Sequence, residues 1–170
     1  MTALDLDARF DPRALRNALG RFATGIAVVM AGDEEGLMGV TVNSFSAVSL
    51  DPPLILFCMA RTLKSLARLE KVKAYSVNIL LETQQDVSNR FARAGEDQFT
   101  TTQWEAGPSG APRLTPAHAV FECVPYAHYD GGDHVIFVGR VVHMHAEGEE
   151  GPLLYYRGGY RLLATLPSAE

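Results

Sequence analysis

The stretch AVFECVPYAHYDGGDHVIFVGRVVHMH, residues 119–145, predicts two long β-strands joined by a tight turn. Its first part, 119–129, and its last part, 135–145, are rich in valine and aromatic residues, which favour extended backbone. Residues 129–133, between them, read Tyr-Asp-Gly-Gly-Asp, a composition typical of turns. The stretch therefore predicts a long antiparallel hairpin.

Shorter β signals lie outside this hairpin. Apolar runs at 26–30 and 38–42 flank the polar turn 32–36 and predict a second hairpin. The turn at 49–53 contains Asp-Pro-Pro, which excludes helix. Further strands are predicted at two other apolar runs, residues 54–59 and 74–80, and the tail carries another apolar run at 153–156.

Helical spacing of apolar residues occurs in three segments. The first follows Asp11-Pro12, a capping residue and a proline suited to the first helical position, and extends to Phe22. The other two predicted helices cover about 62–71 and 83–92. Residues 94–116 are rich in glycine, threonine and proline and predict a long loop.

Together these signals predict a mainly β fold with peripheral helices, in one domain over residues 1–170. Many short strands joined by tight turns are typical of an antiparallel barrel. No strand is followed by Gly-x-Gly-x-x-Gly, so a Rossmann dinucleotide domain is disfavoured.

Charge and hydropathy exclude several classes of function. The net charge is −5 and no basic run occurs, so nucleic acid and anionic membrane surfaces are not expected partners. No apolar stretch approaches the ~20 residues of a membrane span. Residues 1–13 lack the features of a signal peptide, and a cytoplasmic protein is expected.

Cysteines and histidines give no metal motif. Cys58 and Cys123 lie in apolar runs and are expected to be buried, reduced thiols. His143 and His145 share one face of a predicted strand, but no carboxylate motif accompanies them. Exposed strand histidines are the expectation, and no metal is predicted.

Five segments, in this order along the chain, resemble one known family. They are FATGIAVV at 22–29, GVTVNSFSAVSLDPP at 39–53, RFA at 90–92, GDH at 132–134 and YYRG at 155–158. They are similar to segments of the flavin reductase-like family, whose fold is the FMN-binding split barrel. Val40 and Ala47 depart from many relatives, which have other residues there.

The resemblance implies an antiparallel Greek-key split β-barrel that forms a homodimer with flavin sites near the subunit interface. It implies an NAD(P)H-dependent flavin reductase, in which hydride passes from NADH or NADPH to FMN or FAD. The reduced flavin then diffuses to the oxygenase component of a two-component monooxygenase. The cofactors carry this chemistry, while the protein binds and orients them.

A flavin requires an apolar slot, polar groups at the ring edge and charge for its phosphate. Residues 41–44, Thr-Val-Asn-Ser, can supply the ring-edge groups, although Asn43-Ser44 is equally typical of a strand end. Lys64 and Ser65 lie at a predicted helix start, where phosphates bind. A capped helix with a solvated lysine is the plain alternative.

The resemblance extends the set of site residues. His134 corresponds to a residue on the nicotinamide side of the flavin and is the predicted catalytic residue. The predicted cofactor-binding residues are Val40, Thr41, Val42, Asn43, Ser44, Cys58, Met59, Ala60, Lys64, Ser65, Arg90, Phe91, Tyr155, Tyr156, Arg157 and Gly158. Phe91 is also explained by core packing, and so are the tyrosines of the last segment.

Three other functions stay open. A split-barrel flavoprotein can retain its flavin and reduce an organic substrate directly. A barrel of this kind can bind flavin or haem without catalysis. A metal-dependent barrel built on His143 and His145 is the weakest of the three.

Overall fold

The computed structural model describes residues 10–93, 95, 98–146 and 148–164. Residues 1–9, part of the segment inspected for a signal peptide, and residue 94, the start of the predicted loop, lie outside the described residues. The helices are α1 (Pro12–Leu19), α2 (Leu66–Leu69) and α3 (Gln85–Phe91). The strands are β1 (Thr24–Gly25), β2 (Ala27–Asp33), β3 (Gly36–Val42), β4 (Ser46–Leu50), β5 (Pro53–Ala60), β6 (Tyr75–Ile79), β7 (Trp104–Ala106), β8 (Pro112–Leu114), β9 (Ala119–Gly131), β10 (His134–His145), β11 (Leu154–Tyr156) and β12 (Gly159–Arg161).

The main sheet has seven antiparallel strands in the order β3-β2-β6-β9-β10-β5-β4. The predicted hairpin of residues 119–145 lies inside it as β9 and β10. These strands extend to Gly131 and from His134, so the turn is shorter than predicted. Gly132 has a φ of 76°, which glycine adopts without steric cost.

The main sheet curls around one apolar core. Met38 and Val42 of β3 lie in the same buried cluster as Phe57 and Met59 of β5, although β3 and β5 are far apart in the strand order. Phe57 stacks on Phe137 of β10 with ring centroids 5.2 Å apart. The predicted mainly β, antiparallel fold with few helices is thus confirmed.

A second apolar cluster lies on the outer side of β2. Val28 and Met30 point into it, while Val29 and Ala31 point into the first core. This double burial explains why 26–30 is a continuous apolar run instead of an alternating one. Phe91 of α3 and Leu153, just before β11, complete the second cluster, so the helix and the tail pack against the sheet.

The helix predicted at 62–71 was wrong in extent, because only Leu66–Leu69 is α-helical. The N–H of Leu63 donates to the Ala60 carbonyl, and the N–H of Leu66 donates to the Leu63 carbonyl, both at 3.1 Å. Such bonds to the third preceding residue form successive turns. Turns place residues 63, 66 and 69 on one side much as a helix does, so the leucine stripe misled the prediction.

The loop predicted at 94–116 was also wrong in part, because it contains the hairpin of β7 and β8. An ion pair between Arg113 and Glu105, at 2.7 Å, joins the two strands. The buried carboxylate of Glu122 accepts a hydrogen bond from the Ser109 N–H at 2.8 Å and anchors the hairpin turn to β9. Strand β4 was missed as well, and it occupies the start of the predicted 49–53 turn.

No helix within the described residues is long and apolar enough to cross a membrane.

Strand β10 passes so close to the Tyr75 ring that residue 139 has no room for a side chain. A Cβ added at Gly139 meets the buried Tyr75 hydroxyl at 2.1 Å and the Cys123 Cβ at 3.0 Å. Gly139→Ala is therefore expected to lower the free energy of unfolding by about 1–3 kcal/mol, the usual cost of overpacking. Gly25→Ala is the control, because its Cβ meets nothing within 4 Å. Equal stability of the two variants in urea denaturation contradicts this packing.

Candidate functional site

A cleft of about 760 Å³ lies where the end of α1, the residue after β3 and the tail of the chain meet. This volume is in the range of about 300–1,000 Å³ that is usual for ligand sites. Its walls include Leu19, Phe22, Asn43 and Tyr155, together with arginines from α1 and the tail. The cleft thus combines apolar surface with cationic groups and two amides, those of Asn17 and Asn43.

The tail reaches the cleft through a small antiparallel sheet. Thr24 of β1 pairs with Tyr155 of β11, and β11 pairs with β12. The N–H of Arg157 donates to the Gly20 carbonyl at 2.9 Å and so ties the tail to the end of α1. The tail hairpin, residues 154–161, therefore forms one wall of the cleft.

The turn of the tail hairpin places an arginine in left-handed backbone. Arg157 has a φ of 52° and Gly158 a φ of 77°, the signs of a type I′ turn. Left-handed backbone costs a non-glycine residue roughly 1–2 kcal/mol, and glycine or asparagine is usual here. The Arg157 guanidinium lies 5.4 Å from the centroid of the Tyr156 ring. An arginine retained against this cost suggests a role for its side chain.

A second cavity of about 240 Å³ adjoins the cleft, since Asn43 and Tyr155 line both. Its other walls include Thr41, Ser88 and Tyr160. The structure thus brings together six of the predicted residues, which come from two distant segments: Thr41, Val42, Asn43, Tyr155, Arg157 and Gly158.

Ser88 and Tyr160 are residues that sequence reasoning missed. The Ser88 carbonyl accepts a hydrogen bond from the Thr41 hydroxyl at 2.8 Å, and the Ser88 hydroxyl lies 3.0 Å from the Tyr160 hydroxyl. The Tyr160 hydroxyl donates to the Asn89 amide oxygen at 2.8 Å. Tyr160 lies two residues after the Tyr-Tyr-Arg-Gly motif, which was the available signal. Nothing in the sequence singled out Ser88.

The Thr-Val-Asn-Ser segment presents one side chain to solvent. Val42 is buried in the core, and Asn43 is exposed. The Ser44 hydroxyl accepts a hydrogen bond from the Cys58 N–H at 2.9 Å and donates to the Cys58 carbonyl at 3.3 Å. Because the Thr41 and Ser44 hydroxyls bond within the protein, Asn43 has the side chain most available to a ligand.

His134 lies beside the end of β5. It pairs in register with Ala60, and the Arg61 N–H donates to the Asp133 carbonyl at 2.9 Å. The Arg61 guanidinium also donates to the Gly132 carbonyl at 2.8 Å. These bonds hold the turn that carries His134 against the predicted segment 58–60.

The ring of His134 is held by its neighbour in the chain. Its Nδ1 lies 2.7 Å from a carboxylate oxygen of Asp133. This hydrogen bond, together with electrostatic attraction to the His134 ring, lowers the pKa of the Asp133 carboxyl below its usual range. His134 is not among the described residues that line the cleft of Asn43 or its neighbour.

The remaining predicted residues are dispersed. Val40, Met59 and Ser65 border a void of only about 10 Å³ between β3, β5 and α2. Lys64 is exposed, and Ser65 precedes α2 without a side-chain capping bond. Cys58 is half-buried and a free thiol.

Arg90 and Phe91 lie outside the cleft. The Arg90 guanidinium donates to the Thr102 hydroxyl at 2.7 Å and pairs with Asp86 at 3.2 Å. Phe91 is buried in the second apolar cluster, with its ring centroid 5.2 Å from that of Phe99. Core packing accounts for Phe91.

A model of the flavin reductase-like domain matches residues 19–164 of the sequence. The chain belongs to the flavin reductase-like family. The resemblance of the five segments is thereby confirmed.

Two curated relatives illustrate the family. A protein of Rhizobium meliloti (strain 1021) named "Probable flavin reductase" is 47% identical over 152 residues, which cover 89% of this chain and 49% of that protein. The chain thus spans about half the length of this relative. HsaB of Rhodococcus jostii (strain RHA1), a flavin-dependent monooxygenase reductase subunit, is 41% identical over 88% of this chain and 77% of its own.

A solved structure supports the fold. The NADH:FAD oxidoreductase SgcE6 of Streptomyces globisporus C-1027, in complex with NAD and FAD fragments, has a TM-score of 0.86 and 36% identity. The match covers 96% of this chain and 100% of that one. The predicted split-barrel fold of the family is confirmed.

The described residues contain no group of three or more His, Cys, Asp or Glu side chains that could hold a metal ion. His143 and His145 are exposed, as predicted. Cys123 is a buried free thiol, and its burial raises its pKa to about 12, so it is not a reactive thiolate at neutral pH.

The two hydrogen bonds of the Ser44 hydroxyl to Cys58 are expected to stabilise the fold next to Asn43. Ser44→Ala leaves the Cys58 N–H without its acceptor, so the free energy of unfolding is expected to fall by about 1–3 kcal/mol. Ser46→Ala is the control, because its exposed hydroxyl bonds only to the carbonyl of Ala47. Urea denaturation of both variants measures the difference, and equal stabilities contradict a supporting role for Ser44.

Proposed function

We propose that this chain is an NAD(P)H:flavin oxidoreductase that passes hydride from NADH or NADPH to FMN or FAD. It supplies the reduced flavin to a partner monooxygenase. Support comes from HsaB, named as a reductase subunit of a flavin-dependent monooxygenase, and from SgcE6, named as an NADH:FAD oxidoreductase. The observation that carries the proposal is the meeting of Asn43 with Tyr155 and Arg157 in one cleft.

The residues of the cleft suit a flavin and a nicotinamide nucleotide. Leu19, Phe22 and Tyr155 offer apolar and aromatic surface for flat rings. The exposed Asn43 amide offers both a donor and an acceptor to a ring edge. When bound, the flavin and the nicotinamide supply the hydride chemistry, so the protein needs no metal and little acid–base chemistry of its own.

The protein's part in this proposal is to fix geometry. The Ser44 bonds hold Asn43 next to β5, and the Arg61 bonds hold His134 next to Ala60. Hydride transfer requires the reacting atoms at about 3–3.5 Å. We assign to His134 the orientation of the nicotinamide, because its imidazole is partly exposed and tethered by Asp133.

We keep Lys64 and Ser65 as the proposed residues that bind the flavin phosphate, but for a different reason. Helix α2 begins directly after Ser65 but has only four residues, so a helix dipole is not the support for this assignment. What supports it is the exposed ammonium of Lys64 and a Ser65 hydroxyl that makes no capping bond. The flavin contacts of Val40, Cys58, Met59, Ala60, Arg90 and Phe91 rest on the family resemblance.

A homodimer is also part of the proposal. Large apolar side chains are exposed on β4, β9 and β10, among them Leu50 at 95% and Met144 at 75%. Tyr126 and Tyr129 are more than half exposed. Contiguous exposed apolar surface is typical of protein–protein interfaces, and we assign these side chains to the proposed dimer interface.

The proposed activity is tested by the oxidation of NADH and of NADPH, each with FMN, FAD or riboflavin. We expect oxidation of a reduced nicotinamide only when flavin is present, and reduced flavin that passes freely through a filter retaining the protein. Absence of flavin-dependent oxidation with every pair contradicts the proposal. Reduced flavin that stays with the protein favours instead a flavoprotein that reduces an organic substrate directly.

The role of His134 is tested by substitution. We expect His134→Ala to lower kcat/KM for the nicotinamide about tenfold or more, by loss of an orienting contact, and to leave the flavin Kd unchanged. His143→Ala is the control, because it removes an exposed histidine from the same strand. Unchanged nicotinamide kinetics in a folded His134→Ala protein contradict the assignment. A loss of activity that only parallels a fall in melting temperature also contradicts it.

A further inference from the structure

Three arginines line the candidate cleft without acidic partners. They are Arg16 in the last turn of α1, Arg21 just after that helix, and Arg157 in the tail hairpin. Within the described part of the chain, none of them forms an ion pair, and no carboxylate lines the cleft. This concentration of positive charge occurs on a chain whose net charge is −5.

Four of the other described arginines are neutralised by ion pairs, whereas Arg13, Arg93, Arg140 and Arg161 form none among the described residues. Arg61, Arg68, Arg90 and Arg113 each pair with a carboxylate. The three cleft arginines are set apart by their position, because they line one cleft that no carboxylate lines within the described part of the chain. Three like charges in one concave site raise the local concentration of anions.

Local structure does not account for the three arginines together. Arg16 suits the negative end of the α1 dipole, but Arg21 lies beyond the helix and Arg157 comes from a separate hairpin. The bond from the Arg157 N–H to the Gly20 carbonyl brings the hairpin to the helix end. Arg157 also occupies a left-handed position that favours glycine or asparagine.

We propose that Arg16, Arg21 and Arg157 bind the diphosphate of an adenine dinucleotide. Guanidinium groups match phosphate oxygens with paired hydrogen bonds, and a diphosphate offers oxygens to more than one of them. The apolar side chains of Leu19 and Phe22, 66% and 79% exposed, offer surface to the adenine. This assignment rests on the proposed function for the identity of the dinucleotide, which is either the nicotinamide substrate or FAD.

The position of the arginines fits one extended ligand. Asn43, proposed to meet the flavin or nicotinamide ring, lines the same cleft as all three. A dinucleotide whose reactive ring lies at Asn43 therefore extends its phosphates along the arginines. A mononucleotide such as FMN has no second phosphate for them, so the arginines serve to distinguish dinucleotides from mononucleotides.

The test uses ADP, which carries the diphosphate and adenosine without a reactive ring. Wild-type protein is expected to bind ADP in a calorimetric titration, and Arg21→Ala/Arg157→Asn to bind it about tenfold or more weakly. Asparagine at 157 removes the cation and tolerates left-handed backbone. Arg13→Ala is the matched control, because Arg13 lies on α1 but does not line the cleft, and its ADP affinity is expected to be unchanged.

Two comparisons identify which dinucleotide the arginines bind. If they bind the nicotinamide substrate, the double variant raises KM for NADH but not for reduced nicotinamide mononucleotide. If they bind FAD, the double variant raises the Kd of FAD but not that of FMN. Either pattern supports the proposal, whereas equal losses for dinucleotide and mononucleotide, or no loss, overturn it.

The ADP titration does not depend on catalysis. A wild-type protein that oxidises no nicotinamide refutes the proposed function, yet its ADP affinity still tests the arginines. The arginine assignment is overturned if the wild-type protein does not bind ADP, or if a folded double variant binds it equally well. Neither result bears on the flavin reductase activity, which the oxidation assay tests separately.

Discussion

Two hydrogen bonds between the Ser44 hydroxyl and the backbone of Cys58 tie the end of β3 to β5. These strands lie at or next to opposite edges of the main sheet, so the bonds form only because the sheet curls around the core of Phe57 and Phe137. The same bonds hold Asn43 beside β5, and His134 pairs with Ala60 at the end of that strand. The proposed ring-binding groups thus depend on the closure of the barrel.

The other wall of the cleft is the tail hairpin. The tail hairpin is held by the Arg157–Gly20 bond, by the pairing of β1 with β11 and by the contact of Tyr160 with Ser88. A hydrogen bond of this kind contributes about 1 kcal/mol, far less than the burial of the barrel core. Burial of Leu153 in the second apolar cluster, with Tyr155 and Tyr160 packed against it, therefore also holds the tail hairpin in place.

The main strands could be predicted from the sequence, but the short strands and turns around them could not. The long hairpin was readable because its strands of 12 and 13 residues carry many β-favouring side chains. The three-residue strands β7 and β8 are too short to show any period, and the turns at 62–65 share the leucine spacing of a helix. In the site, motif resemblance indicated Asn43 and Tyr155, whereas Arg16 and Arg21 became meaningful only when the fold placed them beside Arg157.

An enzyme that supplies reduced flavin to another protein must release it, and this requirement limits how enclosed its site can be. Deep burial adds apolar contact and slows dissociation, since most differences in affinity between related complexes arise in the dissociation rate. The cleft has the opposite character: Asn43, Phe22 and Leu19 are exposed, and charge instead of burial dominates one end. Electrostatic attraction accelerates the encounter with an anionic nucleotide more than it delays departure. A charged site bordered by exposed side chains therefore suits rapid exchange of nucleotides better than retention of a prosthetic group.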